Sequence, residues 1–434
     1  MGQQTAATFR TVTLGCKVNQ YETQYVREGL ESVGYREAAP HEAAALCVVN
    51  TCTVTHEGDA KSRQTIRQLA ARNPGARIIV MGCYATRAPD EVAALAGVAE
   101  IVTDKRELPD LLGRFGVVDI PTGISRFDGR KRAYVKVQDG CLLRCSFCII
   151  PKVRPNLASR PPQQIVDEVG RLVEHGHREI ILTGIHLGHY GVDFNRGRPK
   201  AEWVRLSHLV DRLARLEGEF RIRLSSIEAT EVTRELIAVM GEHSARVCPH
   251  LHVSLQSGSD RVLRRMRRRW GSRRFVGRCL LARETLDQPA LTTDVIVGFP
   301  GETEADFEDT LRVVEEVGFS KLHIFPFSPR RTTPAAEMSD QVPPQVKQAR
   351  IERLQALERR LALRYQQSLL GRRLQVMVES PVADRPGYAY GTACRYVHVE
   401  LPAAAGSYGK FAQVTPVAIR AGRLQAVDAT HSVD

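Results

Sequence analysis

The chain has 434 residues, 43% hydrophobic and 6% aromatic, the balance of an ordinary soluble protein with room for two or three domains. No apolar stretch approaches the length of a membrane span, and the opening MGQQTAATFRTVTLGC lacks a basic segment followed by an apolar one, so a cytoplasmic protein with no membrane partner is expected. A formal charge of +12 suits a phosphate-rich partner without requiring one, and ten cysteines in a few local clusters read, in a reducing compartment, as thiolate ligands and not as disulfides.

In chain order, three short apolar runs are each followed by a helical pattern. Thr11 to Leu14 precedes a helix from about Gln20, Leu46 to Asn50 a helix after His56, and Ile78 to Met81 a helix after Ala88. This is the pattern of a parallel α/β sheet. A cysteine follows each run: Cys16 in TLGCKVNQ, Cys52 in VVNTCTVT and Cys83 in VMGCYA. Residues just past the carboxyl ends of parallel strands share one sheet edge, so these three can meet in space. Taken singly each could be a buried structural cysteine, as Cys47 inside the second run is expected to be.

A polar, glycine-bearing bridge near Thr122 to Arg132 leads into a second α/β series. Its predicted strands are Ala133–Val137, Glu179–Leu182, Phe220–Leu224, His250–Leu255, Leu291–Val297 and Lys321–Phe325, each ending in a polar or glycine-bearing loop. Six such units predict a partial (β/α)6 barrel with its site at the carboxyl ends of the strands. From Gln348 to about Leu369 the spacing predicts an amphipathic helix. After Gly371, short alternating runs split by glycine-containing turns predict a small antiparallel β-barrel. The expected domains are therefore 8–120, 127–360 and 366–434.

The first barrel strand opens into GCLLRCSFCIIP, with Cys141, Cys145 and Cys148 in a CxxxCxxC spacing. Three thiolates so placed can bind three irons of a [4Fe-4S] cluster and leave the fourth open, where S-adenosylmethionine (SAM) can be chelated and reductively cleaved to a 5′-deoxyadenosyl radical. A structural zinc site is the alternative, but zinc ordinarily takes four protein ligands from paired CxxC knuckles.

With this motif, the three dispersed cysteines and the small C-terminal barrel, the chain resembles the radical-SAM methylthiotransferase family over nearly its whole length. The resemblance implies that Cys16, Cys52 and Cys83 hold a second [4Fe-4S] cluster, that Cys141, Cys145 and Cys148 hold the SAM-binding cluster, and that the C-terminal module is an RNA-binding TRAM barrel. It also implies that TGIHLG, LHVSLQSGSD and DVIVGFPGE contact SAM, Thr183 among the contacts, with Gly184 near the methionine moiety, Ser254 and Gln256 near the ribose, and Val295 to Gly298 near the adenine. From the residues alone, those glycines can equally be turn glycines and Ser254 and Gln256 satisfied strand-end polar groups.

The run RVLRRMRRRWGSRR is the strongest charge concentration, and Arg264, Arg265, Arg268 and Trp270 are candidates for RNA contact, against the plainer reading of a solvated helix face. Met266, Arg268 and Trp270 match a family M-x-R-x-Y pattern with Trp in place of Tyr. TLGCKVNQYET and NTCTVT resemble the branch that acts on N6-threonylcarbamoyladenosine at position 37 of tRNA. KVRPNLASR departs from that branch by lacking an Arg-Gly pair, and SPRRTTPAA lacks the glycine of R-x-GT-x-A. The activity implied is 2-methylthiolation of that nucleoside, with SAM as methyl donor and radical source and a flavodoxin or ferredoxin as electron donor. The alternatives are isopentenyladenosine-37, a ribosomal-protein aspartate, or a non-catalytic iron–sulfur RNA-binding redox sensor.

Overall fold

The computed structural model describes residues 7–404 and 406–427; the remainder of the expected 366–434 domain, residues 405 and 428–434, lies outside the described residues. Five strands, β1 (Thr8–Thr13), β2 (Arg36–Glu37), β3 (Leu46–Thr51), β4 (Arg77–Gly82) and β5 (Val98–Ile101), form a parallel sheet in the order β2-β1-β3-β4-β5. β3 and β4 are central and almost wholly buried, which is why they read as unbroken apolar runs, whereas the two edge strands were missed because they are short and half exposed. Helices Lys17–Ser32 and His56–Arg72 follow β1 and β3, and Cys47 is fully buried in the core beneath the sheet. After β4 there are two short helices, Cys83–Arg87 and Pro89–Ala93, in place of the single one expected after Ala88; Pro89 breaks the run because it cannot donate to the preceding turn.

The second series comprises β6 (Arg132–Asp139), β7 (Ala158–Ser159), β8 (Glu179–Gly184), β9 (Arg221–Leu224), β10 (Ser226–Ile227), β11 (His250–Val253), β12 (Ala290–Val297) and β13 (Lys321–Pro326). Only Ser225 separates β9 from β10, so two four-stranded sheets join into one wall of six parallel strands, with β7 antiparallel at the β6 edge. Among the described residues β13 pairs with β12 alone, which leaves the barrel open between β6 and β13. The period-two alternation divides the side chains. Ile180, Leu182, Ile222, Leu224, Leu251, Val253 and Val295 pack outward in the main core, and Arg223, His250, His252, Thr292, Asp294 and His323 line the lumen.

The bridge at 122–132 is not a free linker. Ile124 and Phe127 are buried in a core that the N-terminal helix, through Tyr21, Val26 and Leu30, shares with Val135, Ile165 and Val169 of the barrel. Helix Pro344–Gln367 packs against β13 and ends with Tyr365 in a separate C-terminal core. There β14 (Leu374–Pro381), β15 (Tyr388–Ala393), β16 (His398–Pro402), β17 (Phe411–Arg420) and β18 (Arg423–Val427) close into a barrel in the order β14-β15-β16-β18-β17. It seats on the amino ends of the parallel strands. Arg221 donates to the carbonyls of Gln375 and Thr392 at 3.0 and 2.9 Å, and Arg223 to those of Cys394 and Ala393 at 3.0 and 3.2 Å, while both guanidiniums pair with buried Glu179.

Candidate active site and its two cysteine trios

Cys16 stands at the start of helix Lys17–Ser32, Cys52 directly after β3, and Cys83 at the start of the short helix after β4. Two glycines let these turns close on one another. Gly15 has φ +100° and a Cβ there would lie 3.1 Å from Cys52 Sγ; Gly82 has φ +99° and a Cβ there would strike the Thr51 backbone at 2.4 Å. Burial raises the Cys52 thiol above its ordinary range, and the neighbouring Cys83 and Cys16 push it the same way.

The second trio sits on the loop after β6. Cys148 N–H donates to the Cys145 carbonyl at 3.1 Å, and Cys141 N–H to the Arg154 carbonyl at 3.3 Å. The loop is gripped from two sides: Ser146 donates to the carbonyls of Met266 and Arg265, and its own carbonyl accepts from Ala335 N–H at 2.9 Å. Burial pushes the Cys148 thiol up to about 12, and burial raises Cys145 while Arg268 pulls it partly back.

That contact corrects the reading of the arginine run. Arg268 is buried, with Nη1 3.4 Å from Cys145 Sγ and its other nitrogen paired with Glu228. Trp270 is 6% exposed, donates to Glu228 at 3.3 Å and packs its ring 5.2 Å from that of Phe275. Neither presents a surface to RNA; they brace the loop that carries Cys145. Arg265 is occupied by Asp340 at 2.7 Å, and Arg264 alone of the four is exposed without an ion pair among the described residues.

Arg154 connects the two trios. Its Nε lies 3.4 Å from Cys83 Sγ, its Nη atoms reach Glu22, Asp139 and Asn19 at 2.8–3.0 Å, and its carbonyl holds the Cys141 amide. Burial opposes the charge on Glu22, but Arg154 and Lys136 overcome it and hold the carboxyl at about 2. A parallel tie joins Arg330 to Asp59 at 2.7 Å and to Thr53 Oγ1 at 2.6 Å, beside Cys52. Glu22, Arg154, Arg330 and Asp59 carry no periodic signal; the one clue to them in the sequence is their closeness to the cysteine motifs.

The donor sets fit iron–sulfur clusters. Each trio offers three thiols, and each has a guanidinium within 3.4 Å of a sulfur, placed to offset thiolate charge. Zinc, at about 2.3 Å from each thiolate, would need sulfurs about 4 Å apart. Among the described residues neither trio has all three sulfurs within 4.8 Å of one another.

The expected SAM-contacting residues gather around the same mouth. Thr183 and Gly184 end β8, where Gly184 abuts Gln138 and the following His186 places Nδ1 3.6 Å from Cys141 Sγ. Gln256, held at φ +67°, exchanges backbone hydrogen bonds with Asp294 and Ile296 at 2.8 and 2.9 Å, and Ser254 is buried beside it. Val295 departs from expectation in one respect: its side chain points outward into the core, so only its backbone faces the mouth. Gly298, at φ +73°, donates to Glu302 at 2.6 Å.

Residues 135–314 match the Radical SAM superfamily, and residues 8–104 match the family described as uncharacterized protein family UPF0004. The chain is 39% identical over 428 residues to threonylcarbamoyladenosine tRNA methylthiotransferase MtaB of Bacillus subtilis (strain 168), covering 94% of this chain and 93% of the relative. It is also 39% identical over 403 residues to tRNA-2-methylthio-N(6)-dimethylallyladenosine synthase 1 of Mycobacterium marinum, covering 87% and 76%. Among solved structures, the radical S-adenosylmethionine methyltransferase TsrM from Kitasatospora setae, with cobalamin and a [4Fe-4S] cluster bound, aligns with a TM-score of 0.57 at 13% identity. That alignment covers 76% of this chain and 77% of TsrM, and it is a likeness of fold.

Proposed function

The chain belongs to the radical SAM tRNA methylthiotransferases, and on that premise we propose that it converts N6-threonylcarbamoyladenosine at position 37 of tRNA to its 2-methylthio derivative. Membership brings SAM and a [4Fe-4S] cluster as cofactors. The finer assignment is that Cys141, Cys145 and Cys148 hold that cluster and that Cys16, Cys52 and Cys83 hold a second. The observation that carries it is Arg154, one buried residue that touches a cysteine of each trio and so fixes two cluster-binding loops from different domains against each other.

When bound, the barrel cluster would supply the electron for reductive cleavage of SAM, and the second would carry the sulfur, which itself needs methylating. A C2–H of adenine is neither acidic nor electrophilic enough for acid–base chemistry, so no side chain is asked to be a nucleophile. The protein's own residues position the groups: Arg268 and Arg154 offset thiolate charge, Ser146 and Gln138 hold the loops, and the Arg154 contacts keep the two trios in register. Arg264 and the C-terminal barrel would take tRNA phosphates, a flavodoxin or ferredoxin the role of reductant, and the cytoplasm is the fitting compartment. No described helix is long and apolar enough to cross a membrane.

Nucleoside analysis of tRNA from a deletion strain tests the assignment. Loss of the 2-methylthio derivative with accumulation of threonylcarbamoyladenosine is the expected result. Loss of the 2-methylthio mark from isopentenyladenosine would move the enzyme to the other substrate.

A further inference from the structure

A substrate whose N6 group carries a carboxylate, a hydroxyl and amide N–H donors needs a place to put them. Below the cluster loops, the lumen holds a cavity of about 290 Å³ lined by Lys17, Arg223, His250, His252, Asp294, His323, Phe325 and Tyr396 among others. That volume sits at the lower end of the range of small-molecule sites. Lys17 directly follows Cys16, so it enters the lumen from the edge that holds the first trio.

The polar groups in this cavity are incompletely paired. Lys17 makes no salt bridge or hydrogen bond among the described residues, although it is within electrostatic reach of Asp294 and Arg223. Arg223 is committed to Glu179 at 3.0 Å, which leaves Lys17 as the one uncommitted cation of the lining. His250 is 4% exposed and its Nδ1 has no hydrogen-bond partner among the described residues; His252 is 9% exposed and its Nε2 makes no well-aligned hydrogen bond, lying 3.1 Å from Asp294. Thr292 Oγ1 ties the two rings together from the other side, at 3.3 and 3.0 Å. Buried polar atoms without partners are rare because each loses its hydration, and one such atom beside an uncommitted cation in the same cavity points to a polar occupant.

Aromatic faces close the two ends. Tyr396, from the C-terminal barrel at the amino ends of the strands, places its ring 4.8 Å from that of His250. Phe325 stands near the carboxyl end of β13, the end that carries the cysteine loops, and is half exposed, so a base can lie against its face while its N6 substituent reaches inward.

We propose that this cavity is the specificity pocket for the threonylcarbamoyl group, in which Lys17 pairs with its carboxylate while Asp294 and the free Nδ1 of His250 meet its hydroxyl and N–H groups. The proposal rests on the substrate assignment above. Such a pocket would disfavour an isopentenyl group, because an apolar occupant would leave Lys17 and His250 Nδ1 desolvated and unpaired.

The test compares dissociation constants, by fluorescence anisotropy, for one tRNA carrying either threonylcarbamoyladenosine-37 or its threonyl methyl ester. Wild type should bind the ester about 10- to 100-fold more weakly. Lys17→Met should bind both alike, and Lys17→Arg should restore much of the difference, with iron content and the circular dichroism spectrum showing that each variant is folded. An equal ester penalty in wild type and Lys17→Met, or none in wild type, overturns the pocket. Absence of 2-methylthio product from wild type with a tRNA it binds would instead remove the substrate assignment, because the binding ratio does not depend on turnover.

Discussion

Arg154 Nε lies 3.4 Å from Cys83 Sγ, and the guanidinium that makes this contact is one of the most deeply buried cations in the protein. It belongs to the barrel and Cys83 to the N-terminal sheet, so the contact spans the interface between the two cysteine trios. Arg154→Met would leave Glu22 and Asp139 with Lys136 as their remaining ion-pair partner among the described residues, a loss of about 3–5 kcal/mol. Chemical denaturation should show the N-terminal unit released first, and reconstituted iron should fall toward half. Unchanged stability and iron would mean that the contact is incidental.

Metal content separates the trios. Anaerobically reconstituted protein should carry about eight irons, and replacing either Cys16, Cys52 and Cys83 or Cys141, Cys145 and Cys148 by Ala should leave about four. Full iron in the N-terminal triple variant would remove the second cluster.

The products separate their roles. Cys145→Ala should abolish 5′-deoxyadenosine formation, whereas Cys52→Ala should still cleave SAM yet leave the tRNA nucleoside without its 2-methylthio group. Mass analysis of digested tRNA alongside 5′-deoxyadenosine measurement reads both. Wild-type methylthiolation by Cys52→Ala would show that sulfur does not pass through the first trio.

Acid should loosen the same interface. Glu22 is held at about 2, against an ordinary value of 4.5, so its contribution is complete above pH 4.5 and fades as pH falls toward 2. The difference in Tm between wild type and Glu22→Gln should therefore shrink steadily from pH 5 downward. A difference that stayed constant to pH 3 would show that Glu22 acts through packing and not through charge.

Thr332 occupies the position of the absent glycine in SPRRTTPAA, and it sits at φ +69°. A β-branched residue there is strained by about 1–2 kcal/mol, part of which glycine's greater unfolded-state freedom takes back. Thr332→Gly should thus stabilise the protein by about 0.5–1 kcal/mol in urea denaturation. Thr333→Gly should do the opposite, because Thr333 is buried at φ −99° and donates to the Arg330 carbonyl at 2.7 Å. Destabilisation by the first change would show that the threonine side chain has a role of its own.

The sequence by itself determined the architecture and the candidate ligands, and it did so where the physics is local. Buried parallel strands read as apolar runs, the loops that end them read as polar breaks, and CxxxCxxC puts three thiols within eight residues of chain whatever surrounds it. What only the tertiary structure decided is which charged residues face inward. Arg268 and Trp270 belong by composition to a basic surface helix, yet the loop after residue 265 turns them under the loop of Cys141, Cys145 and Cys148, where Glu228 of another strand end receives them. Lys17, His250 and His252 are likewise unremarkable as single letters. A lumen exists only once six strands have curved round on one another, and a buried charge is identified by the partners it has or lacks there, residues separated from it by tens to hundreds of positions along the chain.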